Sequence, residues 1–286
     1  MRERLGADYK DGIYIGTIHG LANKFLVTHG INTDRLIETQ DFDKFFTLIK
    51  KNPQCVSHIR HILLDEAQDT SEDEFNFIFN MINPVTFFVV GDTRQSIYSF
   101  KNANPELLEG LCEEPGVVTY SLNENYRNGE NILTYAKKIL RRGHMEDDSI
   151  SMNHGGLVYE NVPDFTNLKG WIISKGEYAD WAVLCSTNAQ VDWICTKLKE
   201  YDIPAVTFKQ GDVTKEQLND LMKSNKVKVL TRHSAKGLEF PYVAVWEPAW
   251  WGGAEAYRVN YVAATRAKQI LLWFEAPRKK SKKKYF

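Results

Sequence analysis

Two short apolar runs, His61-Ile-Leu-Leu64 and Val85-Thr-Phe-Phe-Val-Val90, each stop on an acid, the first at Asp65 and the second past Gly91 at Asp92. Between them Ser71 is followed three positions on by Glu74, and Phe75, Ile78, Phe79 and Ile82 recur at helical spacing. The first pair predicts a capping box and the second set an amphipathic helix. Strand, capped helix and strand make the unit of a parallel sheet, so both runs are expected as buried strands in an α/β fold.

The rest of the chain repeats the alternation. Leu157–Val162, Trp181–Cys185, Ala205–Phe208, Val227–Leu230, Tyr242–Trp246 and Ile270–Phe274 read as strands. Ile132, Ala136, Ile139 and Leu140 place a helix over Asn131–Leu140, and Val191, Ile194, Cys195 and Leu198 supply another stripe. Gly143–Gly156, rich in acids and closing on two glycines, reads as a surface loop. Trp246, Trp250 and Trp251 are expected to pack rather than to stack on a ligand.

Composition narrows the class. Hydrophobic residues make up 43% and charged residues 26% of 286 residues, the balance of a globular chain. No run reaches the ~18 apolar residues of a membrane span, so no membrane partner is expected. The charged start, MRERLGADYKDG, is unlike a secretory signal, and Cys55, Cys112, Cys185 and Cys195 lack CxxC spacing. Both point to a cytoplasmic protein with free thiols. Cys55, His58 and His61 form a C-x-x-H-x-x-H run, but no fourth zinc ligand is evident. The net charge of −1 hides a basic tail: Arg278, Lys279, Lys280, Lys282, Lys283 and Lys284 hold six of the 36 basic residues, leaving 30 against 37 acids. Such a tail neutralises phosphates, or is simply a solvated end.

Asp65 and Glu66 end an apolar strand, where open α/β sheets bind ligands. In nucleotide hydrolases the first carboxylate holds Mg²⁺ and the second orients or deprotonates water; the same pair also opens ordinary surface turns. Past the second strand, Gln95 offers an amide to a phosphate or water, and Tyr98 and Phe100 alternate with polar residues before Lys101. Aromatics beside a cation suit base stacking on a single strand, although two aromatics alone are more often core.

In combination, Asp65-Glu-Ala-Gln-Asp69 and Val90-Gly-Asp-Thr-Arg-Gln-Ser-Ile-Tyr-Ser-Phe-Lys-Asn-Ala103 resemble motifs II and III of the UvrD/Rep/PcrA family of superfamily-one DNA helicases. Thr17-Ile-His19-Gly20 resembles the family's T-[FI]-H-G segment, motif Ib. Leu122-Asn-Glu-Asn-Tyr126-Arg127 is similar to motif IV, Leu230–Phe240 to motif V and Asn260–Lys268 to motif VI. The order is the family's, and the resemblance runs from Met1 to about Phe274.

That resemblance implies an α/β protein of the P-loop NTPase type, with two RecA-like lobes of mostly parallel sheet. Residues 1–121 would be a partial first lobe, 122–276 the second and 277–286 the basic tail. The implied activity is ATP-dependent 3′–5′ translocation on single-stranded DNA or at duplex junctions, with ATP and Mg²⁺. Asp65 would ligate the metal and Glu66 act as general base. Gln95 would couple the γ-phosphate to DNA, and Arg127 and Arg266 would serve as arginine fingers. Gly237 and Glu239 would lie by the ribose, and Thr17, His19, Tyr98, Phe100, Thr231 and His233 would touch DNA.

Several departures qualify these expectations. None of the 18 glycines is followed by lysine, so the phosphate-binding Gly-Lys-Ser/Thr loop is missing from these residues. Met1–Leu5 resembles the interior of a helix, as if the chain began at an internal methionine. The chain alone is therefore expected to be inactive. It would be a fragment, half of a split helicase needing a partner chain with the loop, or a non-catalytic DNA-binding remnant. Only 44 residues separate Gly20 from Asp65 and 15 separate Gly211 from Val227, too few for the family's large insertions. Asn102 stands where the family usually has glycine, and Phe100 where tryptophan is common.

Overall fold

The computed structural model describes residues 13–208 and 213–276. The expected helix interior at Met1–Leu5, Gly211 and the basic tail lie outside the described residues. The chain divides into two compact units, Met1–Val118 and Thr119–Phe286.

The first unit is built on a small helical core. Helices α1 (Ile18–Thr28), α2 (Asp34–Glu38) and α3 (Lys44–Lys51) precede the first strand. Leu21, Ala22, Phe25 and Leu26 of α1 bury against Phe45, Phe46 and Ile49 of α3. Strand β1 (His61–Leu64) is followed by α4 (Glu72–Asn76), which carries the expected Ser71–Glu74 capping box. The regular helix stops earlier than its apolar spacing predicts, because Phe77–Ile82 widens into a π turn. That spacing brings residues five apart onto one side, and Phe77 and Ile82 are the pair it buries, with Ile78 beside them.

Strand β2 (Thr86–Val89) pairs in parallel with β1, His61 opposite Thr86 and Leu64 opposite Val89. The expectation that both strands are buried fails. Leu63 is 81% exposed and Phe88 63% exposed. The strands have the composition of sheet covered on both faces, but among the described residues each has one neighbouring strand and one packed side. Helix α5 (Glu106–Glu113) ends this unit.

The second unit begins with β3 (Glu124–Gly129) and α6 (Glu130–Arg142), followed by β4 (Ile150–Asn153). The segment 143–156 is therefore not all loop: β4 runs parallel to β3, Glu124 opposite Ile150. Neither strand carries an alternating apolar pattern; side-chain bonds hold them, Ser151 Oγ donating to the Asn128 carbonyl at 2.8 Å. Strand β5 (Leu157–Asn161), α7 (Phe165–Lys175), β6 (Trp181–Cys185), α8 (Asn188–Lys199), β7 (Ala205–Val206), α9 (Lys215–Lys223), β8 (Val227–Thr231), β9 (Phe240–Trp246), α10 (Ala254–Ala264) and β10 (Ala267–Phe274) complete it.

Six of these strands form one parallel sheet in the order β5-β10-β9-β6-β8-β7. Val183, Cys185, Ala244, Trp246, Leu272 and Phe274 face Leu168 and Ile172 of α7 and Val191, Ile194 and Leu198 of α8. The alternate residue Trp273 meets Tyr135 of α6, ring centroids 5.5 Å apart. Helices thus cover both faces, as a doubly wound sheet demands. Of the three tryptophans expected to pack, Trp246 is buried and Trp250 rests on Tyr257 and Trp273, while Trp251 is 79% exposed.

Candidate functional site

In the first unit the chemistry gathers where β1 and β2 end. Asp65 follows β1, and its Oδ1 accepts the Glu66 amide at 3.0 Å. Glu66 has φ 55° and ψ 39°, a left-handed conformation that costs a side-chain-bearing residue about 1–2 kcal/mol. The turn lets the Ala67 amide bond the Val90 carbonyl at 3.0 Å, tying the two strand ends together. Gln68, 1% exposed, donates to Glu66 Oε2 at 2.6 Å and accepts the Asp92 amide at 2.9 Å. Asp92 in turn accepts from Arg94 Nε at 2.7 Å and from Gln95 Nε2 at 2.9 Å. The structure thus brings Glu66 and Gln95 onto one hydrogen-bonded network.

Past Gln95 the chain presents its aromatics. Phe100 is 65% exposed and meets Tyr98 edge-on at 5.8 Å, with Lys101 Nζ 5.0 Å from the Tyr98 ring. Burial, with the Asp69 and Glu66 charges, pushes the Tyr98 hydroxyl up to about 12. Asn102 adopts φ 61°, the left-handed position that glycine or asparagine tolerates, which accounts for asparagine where the family has glycine. Thr17 is the N-cap of α1, its side chain accepting the Gly20 amide at 3.0 Å. His19 is held by two acids, Nδ1 3.2 Å from Glu74 and Nε2 3.4 Å from Asp43, with its ring on Phe46.

In the second unit an open cleft of about 750 Å³ is lined by Glu124, Tyr126, Arg127, His154, Glu239 and Lys268, among others. Glu239 bridges two cations: Oε2 accepts from Arg127 Nε at 2.8 Å and Oε1 from Lys268 Nζ at 2.5 Å. Hydrogen bonds from Lys268 and from Arg127 hold its carboxyl below the usual range. Behind Arg127, the enclosed Asn128 donates to the carbonyls of Thr265 at 2.9 Å and Ala267 at 2.6 Å, stitching β3 to the start of β10. Gly129 is needed here, since a Cβ would lie 2.7 Å from the Gly156 Cα. The cleft gathers two cations and an acid where a nucleotide's phosphates and ribose could be held.

Arg266 does not line that cleft. It is 1% exposed, with Nε on the Val262 carbonyl at 2.9 Å, one terminal nitrogen on the Leu238 carbonyl at 3.2 Å and the other on Thr265 Oγ1 at 3.1 Å. Thr231 Oγ1 donates to Ser234 Oγ at 2.9 Å and closes the turn after β8. Burial and the adjacent Arg232 charge lower the pKa of His233, so its ring is neutral at pH 7. Gly237 is exposed at φ 78°. Sequence reasoning missed the roles of Gln68, Asn128 and Lys268, because polar residues at strand ends leave no periodic signal.

Residues 44–115 match the UvrD/REP helicase N-terminal domain, and residues 212–275 match the UvrD-like helicase C-terminal domain. Stretches in both units thus resemble domains of UvrD-like helicases. The chain is similar to a probable DNA helicase of Mycoplasma pneumoniae, 27% identical over 86% of this chain and 49% of the relative. It is also similar to the ATP-dependent DNA helicase srs2 of Schizosaccharomyces pombe, 38% identical over 35% of this chain and 12% of the relative. A third relative, the ATP-dependent DNA helicase Rep of Buchnera aphidicola, is 27% identical over 65% of this chain and 33% of its own length. The chain spans half or less of each of these proteins.

Whether the donor set around Asp65 and Glu66 suits Mg²⁺ is a matter of its chemistry. No group of three or more His, Cys, Asp or Glu gathers into a metal site among the described residues. Mg²⁺ does not require one, because it binds through one or two carboxylates, water and substrate phosphates. Asp65 fits that mode. Cys55, His58 and His61 do not gather: Cys55 is buried, and His61 shares a 2.6 Å hydrogen bond with Thr86 across the strands. No described helix is long and apolar enough to cross a membrane.

Proposed function

We propose that this chain is part of a motor that moves 3′–5′ along single-stranded DNA at the expense of ATP. The observation that carries the reading is the network from Glu66 through Gln68 and Asp92 to Gln95, which joins a carboxylate at one strand end to the loop bearing exposed Phe100. Asp65 would hold Mg²⁺, which when bound to ATP neutralises charge on its phosphates. Glu66 would take a proton from the attacking water. Arg127, released from Glu239, would pair with a phosphate, and Glu239 would remain neutralised by Lys268 beside the ribose. Gly237, exposed at a turn, leaves room for nucleotide. Phe100, Tyr98, Thr231 and the neutral His233 would contact DNA.

On this reading the phosphates still require a backbone-and-lysine loop, and none of the chain's glycines precedes lysine. The 286 residues alone are then unable to sustain turnover. A segment bearing Gly-Lys-Ser/Thr, in cis or from a partner chain, restores it. The test is steady-state ATP hydrolysis with saturating single-stranded DNA, with and without that segment. Restored turnover that Glu66→Gln abolishes supports the motor; robust turnover by the unextended chain, lost in Glu66→Gln, overturns the need for the segment. A second reading, a DNA-binding remnant without catalysis, draws on the internal hydrogen bonds that occupy Arg266. It requires that the added segment restore nothing.

A further inference from the structure

Gln68 sits between the two strand ends with almost no contact with water, and its amide is satisfied at both ends. Chemistry fixes which way that amide points. A carboxylate only accepts, so the nitrogen must face Glu66; a backbone N–H only donates, so the oxygen must face Asp92. The main chain adds a third tie, Ser96 Oγ donating to the Gln68 carbonyl at 3.0 Å. Gly91 gives independent evidence that the fit is close. A Cβ there would stand 2.8 Å from Gln68 Oε1, 3.2 Å from the Gln68 amide nitrogen and 2.6 Å from Leu108.

We propose that Gln68 is the positioning residue of this site, its amide clamping the Glu66 carboxylate to the loop after β2 so that Glu66 and the Gln95–Phe100 segment respond to each other. The functional half of this inference rests on the motor proposed above, in which Glu66 faces water and Phe100 faces DNA. Glutamine suits the task because one planar group supplies a donor and an acceptor at fixed separation. A buried amide that loses either partner is left with an unmet hydrogen bond, so the two ends are held together. Gln95 joins through the other side of Asp92, its amide on Oδ2 while Arg94 takes Oδ1. A shift of the loop that moves Asp92 therefore acts on Gln95 directly and on Glu66 through Gln68.

The test is a double-mutant cycle read by NMR on the full 286-residue chain. The quantity is the shift that Glu66→Ala causes at the Asp92 backbone amide and the Gln95 side-chain amide. It is measured in the wild type, in Gln68→Met and in Gln68→Glu. Gln68→Glu keeps the acceptor toward Asp92 and the side chain's shape but offers Glu66 a donor only when protonated, so it serves, at a pH high enough to ionise both carboxyls, if Gln68→Met fails to fold. The expected result is a clear shift in the wild type that falls to less than half in either Gln68 variant. An equal shift in all backgrounds overturns the proposal. A titration with oligothymidylate adds the functional arm: binding should move the Glu66 amide signal in the wild type and not in Gln68→Glu, and persistence in that variant counts against the clamp. If the wild-type chain binds no oligothymidylate, the motor reading fails, while the DNA-free cycle still decides the role of Gln68.

Discussion

Phe100 leaves about two thirds of its surface in water while its neighbour Tyr98 is half-buried against acids, so the two aromatics do different work. An exposed ring beside Lys101 can take a base on its face. Phe100→Ala should weaken single-stranded DNA binding by about 1–3 kcal/mol, read as an anisotropy titration at fixed salt; unchanged affinity would remove Phe100 from the DNA path. Tyr98 carries a pH signature instead. In the unfolded chain its hydroxyl loses a proton near the ordinary 10.0, whereas in the fold it keeps the proton to about 12. Between those values the folded state binds more protons, so its contribution is complete below pH 10 and lost as pH rises toward 12. Urea midpoints across that window should fall less steeply in Tyr98→Phe than in the wild type. Parallel curves would show that neither burial nor the Asp69 and Glu66 charges hold the proton on the ring.

At the scale of elements, the helices that were legible in the sequence are those with a cap or an apolar stripe. Ser71–Glu74 formed its capping box, and the Asn131–Leu140 stripe became the buried face of α6. Strands β3 and β4 were not legible, because Glu-Asn-Tyr-Arg-Asn-Gly and Ile-Ser-Met-Asn pair through backbone and side-chain amides rather than through burial. The π turn after Asn76 was equally hidden, since an apolar spacing of three and four also fits an α-helix. Thr17 shows how an element can account for a residue singled out for function. It caps α1, and Thr17→Ala should cost about 1 kcal/mol of stability, with Thr17→Ser retaining most of it. A DNA affinity that falls in Thr17→Ala and returns in Thr17→Ser would be traced to the cap. Loss in both variants would point to direct contact through the threonine methyl.

At the scale of the whole molecule, the two units differ in how well their sheets are covered. The six-stranded sheet of the second unit buries every residue of β6 and nearly all of β9 and β10, and its strands were readable as apolar runs. In the first unit the apolar runs were equally readable, yet Leu63, Val85, Phe88 and Val90 remain exposed. Their composition is that of strands covered on both faces, and among the described residues these side chains lie open. Each exposed aliphatic or aromatic side chain forgoes roughly 1.5–3 kcal/mol of burial, so this sheet should open far more readily than its counterpart. Hydrogen exchange should therefore be faster for the amides of His61–Leu64 and Thr86–Val89 than for those of Trp181–Cys185 and Val243–Trp246. Supplying a strand-and-loop segment with Gly-Lys-Ser/Thr should slow exchange in β1 and β2 and leave the second unit unchanged, because added sheet pairs with open strand edges. Exchange in β1 and β2 that is already as slow as in β6 would mean that this small sheet is stable as it stands. In that case the exposed side chains are a surface in their own right, and the need for an added segment would rest on phosphate binding alone.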